Sequence, residues 1–361
     1  MLILSVGSQG QQQQQHRAQV HRRRAPAPAL SSPLSLLLLV ACLAACLFGT
    51  PAAASYGDRL PEFQECVQIC DRQNCGADAQ HATPIPLHHR LLLWTCPAEC
   101  DYTCQHLITA RRHAATPPQP TVQFHGKWPF RRFLGMQEPL SVLFSAGNFA
   151  AHYHGLRLIQ TRVPASYPLR RYYTGFAYLS LATWVFSFIF HIRDFRLTEQ
   201  LDYFAAGASV LYGLYYAPVR ILRLDKWRAA LRAWTAVCVL LYAAHVTYLK
   251  VWKWDYGYNM KANVVCGAIQ NVLWIGFSIA RYRSRRRAWA AWGGITVVLV
   301  MSAMSLELLD FAPIWGSLDA HSLWHAGTIG PIVLWYNFLA KDAQDDIMTG
   351  STEKLSKAAL E

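Results

Sequence analysis

Charge is what this sequence has least of. Only 15% of its 361 residues are Asp, Glu, Lys or Arg, against 53% hydrophobic residues, and the mean hydropathy is +0.12. So little charge argues against an ordinary soluble globular domain and for a polytopic membrane protein. Acidic residues are absent from the first 54 positions, which hold four Arg, so the remainder carries 30 basic against 21 acidic residues, +9 of the total +13. Most of that excess falls in three short loops between apolar runs, a topology signal rather than the footprint of a nucleic-acid partner. No internal repeat is evident, nor a pair of interrupted apolar segments, which argues against a transporter.

The N-terminus is polar and basic through QQQQQHRAQVHRRRAPAPALSSP, apolar over LSLLLLVACLAACLF, and small over GTPAAAS. That order predicts a signal peptide over residues 1–54, cleaved near Ala54; an uncleaved anchor is the alternative, but the apolar run is short for a span. Residues 55–138 then form a luminal segment. Six of the ten cysteines, Cys66, Cys70, Cys75, Cys96, Cys100 and Cys104, lie in it. After a signal peptide they predict three disulfides in an oxidising lumen, with a pairing that the sequence leaves open. The spacings C-x3-C-x4-C and C-x3-C-x3-C lack the form usual for zinc fingers. Cys238 and Cys266 sit in apolar runs and are expected to be buried thiols.

Seven apolar stretches follow, centred near residues 147, 181, 210, 239, 270, 299 and 331. Each has about 15 to 22 residues, enough for a bilayer core, although the first is short and contains Asn148, His152 and His154. The expected fold is an all-α membrane protein, a seven-transmembrane helix bundle over 139–340 behind an N-terminal disulfide-rich luminal segment. The loops after spans 1, 3 and 5 carry 14 basic residues and one acid, whereas the loops after spans 2, 4 and 6 carry five of each. Short basic loops stay cytoplasmic, which puts the N-terminus in the lumen and a tail, 341–361, in the cytosol. Trp and Tyr recur at span ends, as in KVWKWDYGYNM, like the aromatic belts of a bilayer interface.

That topology brings several polar residues to one depth. Ser187 and His191 lie one turn apart at the luminal end of span 2, Asp202 begins span 3, and His321 and His325 share a helix face at the start of span 7. Ionisable groups there are costly unless paired, metal-bound or facing a cavity. Three imidazoles with an open position form the ligand set of a catalytic zinc, so His191, His321 and His325 are the expected metal ligands. Bound zinc lowers the pKa of its water to about 7. Asp202 would orient or deprotonate that water, Ser187 would hydrogen-bond the developing oxyanion or the carboxylate, and Asp319 is a weaker candidate to support His321.

Each residue also has a plainer interpretation. Ser187 can bond its own helix's carbonyl, His191 can sit at the interface, and Asp202 can pair with Arg193 or Arg196. HSLWH lacks the Glu of H-E-x-x-H, which excludes that protease motif, and no G-x-S-x-G elbow is near Ser187. Asn148, His152, His154, His245, Asn271 and Glu307 are expected mainly to bond between helices, with Asn271 and Glu307 possible liners of the same cavity.

With Ser187, His191 and Asp202 spaced S-x3-H-x10-D and a distant H-x3-H at His321 and His325, the chain resembles the CREST superfamily of seven-span membrane hydrolases. That superfamily includes alkaline ceramidases, which hold zinc with three such histidines, and the progestin and adipoQ receptors. The closer resemblance is to the Per1-like family of post-GPI-attachment factors. It is carried by CPAECDYTCQH, FHGKWPFRRFLGMQEPLSVLFSAGNFAAHYHG, HIRDFRLTEQLDYF, LELLDFAPIW and LDAHSLWH, spread from about residue 60 to 340. The resemblance implies a GPI-anchor lipid remodelling enzyme of the secretory pathway, in the Golgi or endoplasmic reticulum. Its implied reaction removes the unsaturated sn-2 acyl chain from the inositol phospholipid of GPI-anchored proteins. Arg193 or Arg196 would meet the lipid phosphate. The alternatives are a ceramidase-like amidase and a non-enzymatic seven-span receptor or trafficking factor with structural zinc.

Overall fold

The computed structural model describes residues 55–75, 84–307 and 309–358, with side chains through residue 350. The expected signal peptide lies outside the described residues. Within them the regular structure is helical, interrupted by three isolated β-bridges that close tight turns at 124–127, 133–136 and 314–318.

The cysteine-rich segment is a helical hairpin. Helix α1 (Pro61–Asn74) starts with a proline, and α3 (Cys96–Ala114) has one at its second position, where the missing N–H costs nothing. A five-residue helix, α2 (Leu87–Leu91), lies between them. Cys66 and Cys70 stand one turn apart on α1, as Cys100 and Cys104 do on α3. Two antiparallel helices so patterned zip together. The bonds are Cys66–Cys104, Cys70–Cys100 and Cys75–Cys96, closing separations of 38, 30 and 21 residues. In the chain-entropy account loops of that size contribute about 3 to 4 kcal/mol each. Cys75 and Cys100 sulfurs approach to 3.9 Å but belong to different disulfides, so they are not available as thiolates. Phe63, Ile108 and Phe124 form the small core beside the first bond.

Seven long helices follow, one on each expected apolar stretch: α4 (Pro139–Arg162), α5 (Arg170–Ile192), α6 (Arg196–Ile221), α7 (Arg228–Thr247), α8 (Tyr256–Arg285), α9 (Trp292–Glu307) and α10 (Ala320–Ala358). A π-turn, Tyr248–Trp252, extends α7. Four are long and apolar enough to cross a membrane: α5, α7 with its π-turn, α8, and α9 with the turn before it. The other three carry polar residues, among them Asn148 and His152 on α4, Glu199 and Asp202 on α6, and both histidines on α10. Among these, α4 packs against α5 and α10, and α6 against α5 and α8.

The bundle core is aromatic, with Tyr173, Tyr216, Trp274, Trp335, Tyr336 and Phe338 buried together. Gly155 on α4 admits the Tyr336 ring of α10, which any Cβ would strike. Outward faces are apolar and bare: Val239 and Leu240 on α7 are 61% and 67% exposed. A helix with such a face requires a nonaqueous surround. Cys238 is a buried free thiol and Cys266 a half-buried one.

The two ends of the bundle differ. At one, basic residues at and just past the ends of α6 and α8 meet acids of α10. Arg220 Nε lies 2.6 Å from Asp342 Oδ2, Arg281 bridges Asp342 and Asp345 at 2.9 and 2.8 Å, and Arg223 meets Asp346 at 2.8 Å. α10 runs past these pairs to Ala358, through much of the segment expected to be a tail, and the pairs leave Asp342 with no exposed surface. The histidines and the disulfide hairpin lie at the opposite end.

Candidate metal centre

Four helix ends converge at the hairpin end of the bundle. His191 is in the last turn of α5, with Ser187 a turn earlier; His321 and His325 occupy the first two turns of α10. Glu138 immediately precedes α4, and Glu307 ends α9. Asp319 caps α10: its Oδ1 accepts from the Ser322 N–H at 2.9 Å, and Ser322 Oγ accepts from the Asp319 N–H at 3.0 Å. This reciprocal cap fixes the start of the helix that bears two imidazoles. Asp319 therefore acts on the helix terminus.

Each of the three imidazoles offers a ligand nitrogen, and the three nitrogens lie within 4.8 Å of one another. His191 Nε2 and His321 Nε2 are 3.4 Å apart. Each Nδ1 is engaged outward. His191 Nδ1 lies 2.8 Å from Glu138 Oε2, His321 Nδ1 lies 2.9 Å from Glu307 Oε2, and His325 Nδ1 lies 3.2 Å from Ser145 Oγ. An ionised carboxylate only accepts, so both Glu-bound rings donate from Nδ1, and a neutral ring so held would present Nε2 inward as a lone pair. A carboxylate behind an imidazole orients it and raises its basicity, as in zinc sites. Three converged nitrogen donors with these supports fit a zinc ion; His191, His321 and His325 would hold it.

The surroundings fix these groups further. Asn148 of α4 donates to the His325 carbonyl at 2.7 Å, and Thr328 donates to Asn148 Oδ1 at 3.0 Å, an interhelical role of the kind expected for Asn148. His152 pairs with the Tyr336 hydroxyl deeper in the bundle at 2.9 Å. Glu138 is 5% exposed. Burial alone would raise its carboxyl, but Lys127 and then His191 hold it well below the usual carboxylate range. Burial likewise opposes the Lys127 charge, and Glu138 and Asp194 more than offset it, keeping that ammonium above the usual lysine value.

Ser187 Oγ lies 3.3 Å from Ser145 Oγ, which puts it behind His325 at one remove. Asp202 lies within electrostatic reach of His191, His321, Lys127 and Glu138. Among the described residues its carboxylate has no hydrogen bond and no ion pair, with Arg193 and Arg196 included. Arg193 stacks instead on Trp94, 3.6 Å from the ring centre, with Arg132 3.1 Å from the same centre; Arg196 is exposed. Glu138, Ser145 and Lys127 were not singled out by the sequence, and Glu307 only as a possible cavity liner. The signal was there in Glu138 and Glu307: each is a carboxylate at the end of an apolar run, at the depth of the histidines.

Residues 86–343 match the Per1-like family. A PER1 homolog from Schizosaccharomyces pombe is 39% identical over 302 residues, 83% of this chain and 90% of that protein. Human and zebrafish (Danio rerio) proteins, each named GPI-specific phospholipase A2-like PGAP3, are 38% identical over 294 residues and 39% over 303. They align with 81% and 83% of this chain and with 90% and 94% of their own lengths. No solved structure matches the chain.

Proposed function

This chain belongs to the Per1-like family, and from that premise we propose that it remodels GPI anchors as a zinc-dependent acyl hydrolase. Its substrate is the inositol phospholipid of GPI-anchored proteins, and the bond broken is the sn-2 ester. The observation that carries this function is the convergence of His191, His321 and His325 with every Nδ1 already engaged. The names of the PGAP3 relatives point to the same substrate class.

His191, His321 and His325 would hold the zinc, which when bound would supply a water of pKa about 7 and a Lewis acid for the ester carbonyl. Asp202 serves as general base, because its carboxylate is near the histidines and engages no protein donor. Ser187 and Ser145 orient His325, and Ser187 can exchange Ser145 for the oxygen that gains charge as the ester is attacked. Glu138 and Glu307 hold Nδ1 protons on His191 and His321, which keeps both rings facing inward. Arg193 and Arg196 stand nearby for the lipid phosphate, Arg196 the more accessible of the two.

All seven long helices span the bilayer in this reading, with the histidine end luminal. Three disulfides at that end and basic loops at the other support this orientation. A site at luminal helix ends meets the ester of a luminal-leaflet phospholipid, in a Golgi or endoplasmic reticulum membrane.

The test is the acyl composition of GPI anchors, measured by mass spectrometry in cells that lack remodelling. Wild type should restore removal of the unsaturated sn-2 chain, and His325→Ala at equal expression should not. Equal rescue by both would overturn the metal centre as the catalytic site; rescue by neither would overturn the substrate.

A further inference from the structure

Lys127 closes a two-residue turn. His125 and Gly126 take left-handed conformations, with φ of 50° and 80°, and Phe124 and Lys127 exchange main-chain hydrogen bonds of 2.7 and 2.9 Å across them. Glycine at the second of two such positions is what a tight turn of this hand demands.

The disulfide hairpin grips this turn. Asp58 Oδ1 accepts from the His125 N–H at 2.8 Å, Ser55 Oγ accepts from the Gly126 N–H at 2.6 Å, and His125 Nε2 lies 2.9 Å from Asp101 Oδ1. The Phe124 ring packs on Phe63, centroids 4.6 Å apart, in the core beside Cys66–Cys104.

From this mount the Lys127 ammonium crosses to the bundle. It lies 2.6 Å from Glu138 Oε1, 2.9 Å from Asp194 Oδ2, and 4.2 Å from the centre of the Phe190 ring. The second Glu138 oxygen is the one that holds His191. A carboxylate held at one oxygen pivots; held at both, it has a fixed plane, and so does the imidazole bound to it.

Resting on the zinc function proposed above, we infer that Lys127 is a positioning residue for the metal centre. It locks the Glu138 carboxylate against His191 and makes the disulfide hairpin part of the shell that retains the ion. The hairpin's contribution to the enzyme is therefore mechanical: its turn reaches, through Glu138, the back of His191.

The experiment uses the purified full chain in lipid nanodiscs. Zinc stoichiometry is measured by elemental analysis, and release of zinc to a chelator is followed over time, with His321→Ala as the ligand-deletion control. Lys127→Met, its three disulfides verified by non-reducing peptide mapping, should lose zinc about 10- to 100-fold faster than wild type, the range seen when outer-shell partners are removed. Lys127→Arg keeps the cation and should stay within about two-fold of wild type on the same scale. If folded Lys127→Met retains zinc as wild type does, Lys127 has only a structural role and the inference is overturned. Should Lys127→Met fail to fold, Lys127→Gln, which stays polar but loses the cation and the reach to both carboxylates, is judged by the same criterion of faster release. A wild-type protein without zinc, or a His321→Ala protein that keeps it, overturns the zinc centre itself and the role of Lys127 with it.

Discussion

Glu138 and His191 are joined twice. The Glu138 side chain accepts from His191 Nδ1 at 2.8 Å, and the Glu138 N–H donates to the His191 carbonyl at 3.0 Å. The start of α4 and the end of α5 are therefore registered by main chain before the side chains meet, and the imidazole is held at its ring and at its backbone.

Glu307 does for His321 what Glu138 does for His191, from a position 22% exposed at its side chain. Glu307→Gln should leave the protein folded and weaken zinc retention about 10- to 100-fold. Equilibrium dialysis against a graded zinc buffer measures it, and unchanged affinity would remove Glu307 from the centre.

Asp202→Asn separates chemistry from metal binding. Turnover of a GPI-lipid substrate should fall about 10²- to 10⁴-fold while zinc content stays at the wild-type level. Ser187→Ala should likewise keep its zinc and lose turnover, with the change in kcat rather than KM. Loss of zinc from Asp202→Asn would instead make this carboxylate part of the ligand set.

At the far end of the bundle, Asp342 faces Arg220 and Arg281 with no exposed surface. Asp342→Asn leaves two guanidiniums short of their counter-charge, and breaking a buried pair costs about 3 to 5 kcal/mol. The thermal unfolding midpoint in detergent should drop by several degrees; a drop under one degree would mean the network is not structural.

His125 gives the hairpin a pH dependence. Its hydrogen bond to Asp101 raises its pKa, against the opposing effect of burial. The bond therefore stabilises the folded segment fully below the unfolded value near 6.5, and the benefit is lost as pH rises through the higher folded value. His125→Gln should be further below wild type in stability at pH 5.5 than at pH 8.5. Unfolding midpoints at the two pH values check this, and because His125 is more than half exposed the difference is expected to be modest. An equal deficit at both would falsify the His125–Asp101 assignment.

Much of this is legible in the sequence alone. Long apolar runs fix helix number and order, and His191 with the His321–His325 pair stood out because imidazoles at a span end need a reason. The disulfide pairing was not legible: six cysteines allow fifteen pairings, and only the antiparallel packing of α1 on α3 selects among them. Glu138, Ser145 and Lys127 were hidden for a different cause. A single Glu before Pro139, a serine within α4 and the lysine of GKWPF are unremarked singly, and become partners only when helix ends 53 and 180 residues apart in sequence meet. The segment expected as a cytosolic tail continues α10 as helix, and the basic partners of its acids come from two other helices.

The last helix is anchored at both extremities, its imidazoles at one and Asp342, Asp345 and Asp346 at the other. Between these ends Trp335, Tyr336 and Phe338 pack into the bundle core. A turn by one residue swings every side chain through about 100°. It would take His321 from Glu307 and Asp342 from Arg220 together. The azimuth of α10 is thus set by charge at its two ends together with the aromatic packing of Trp335, Tyr336 and Phe338 between them, and a substitution at Arg220 or Arg281 bears on the direction in which His321 and His325 face.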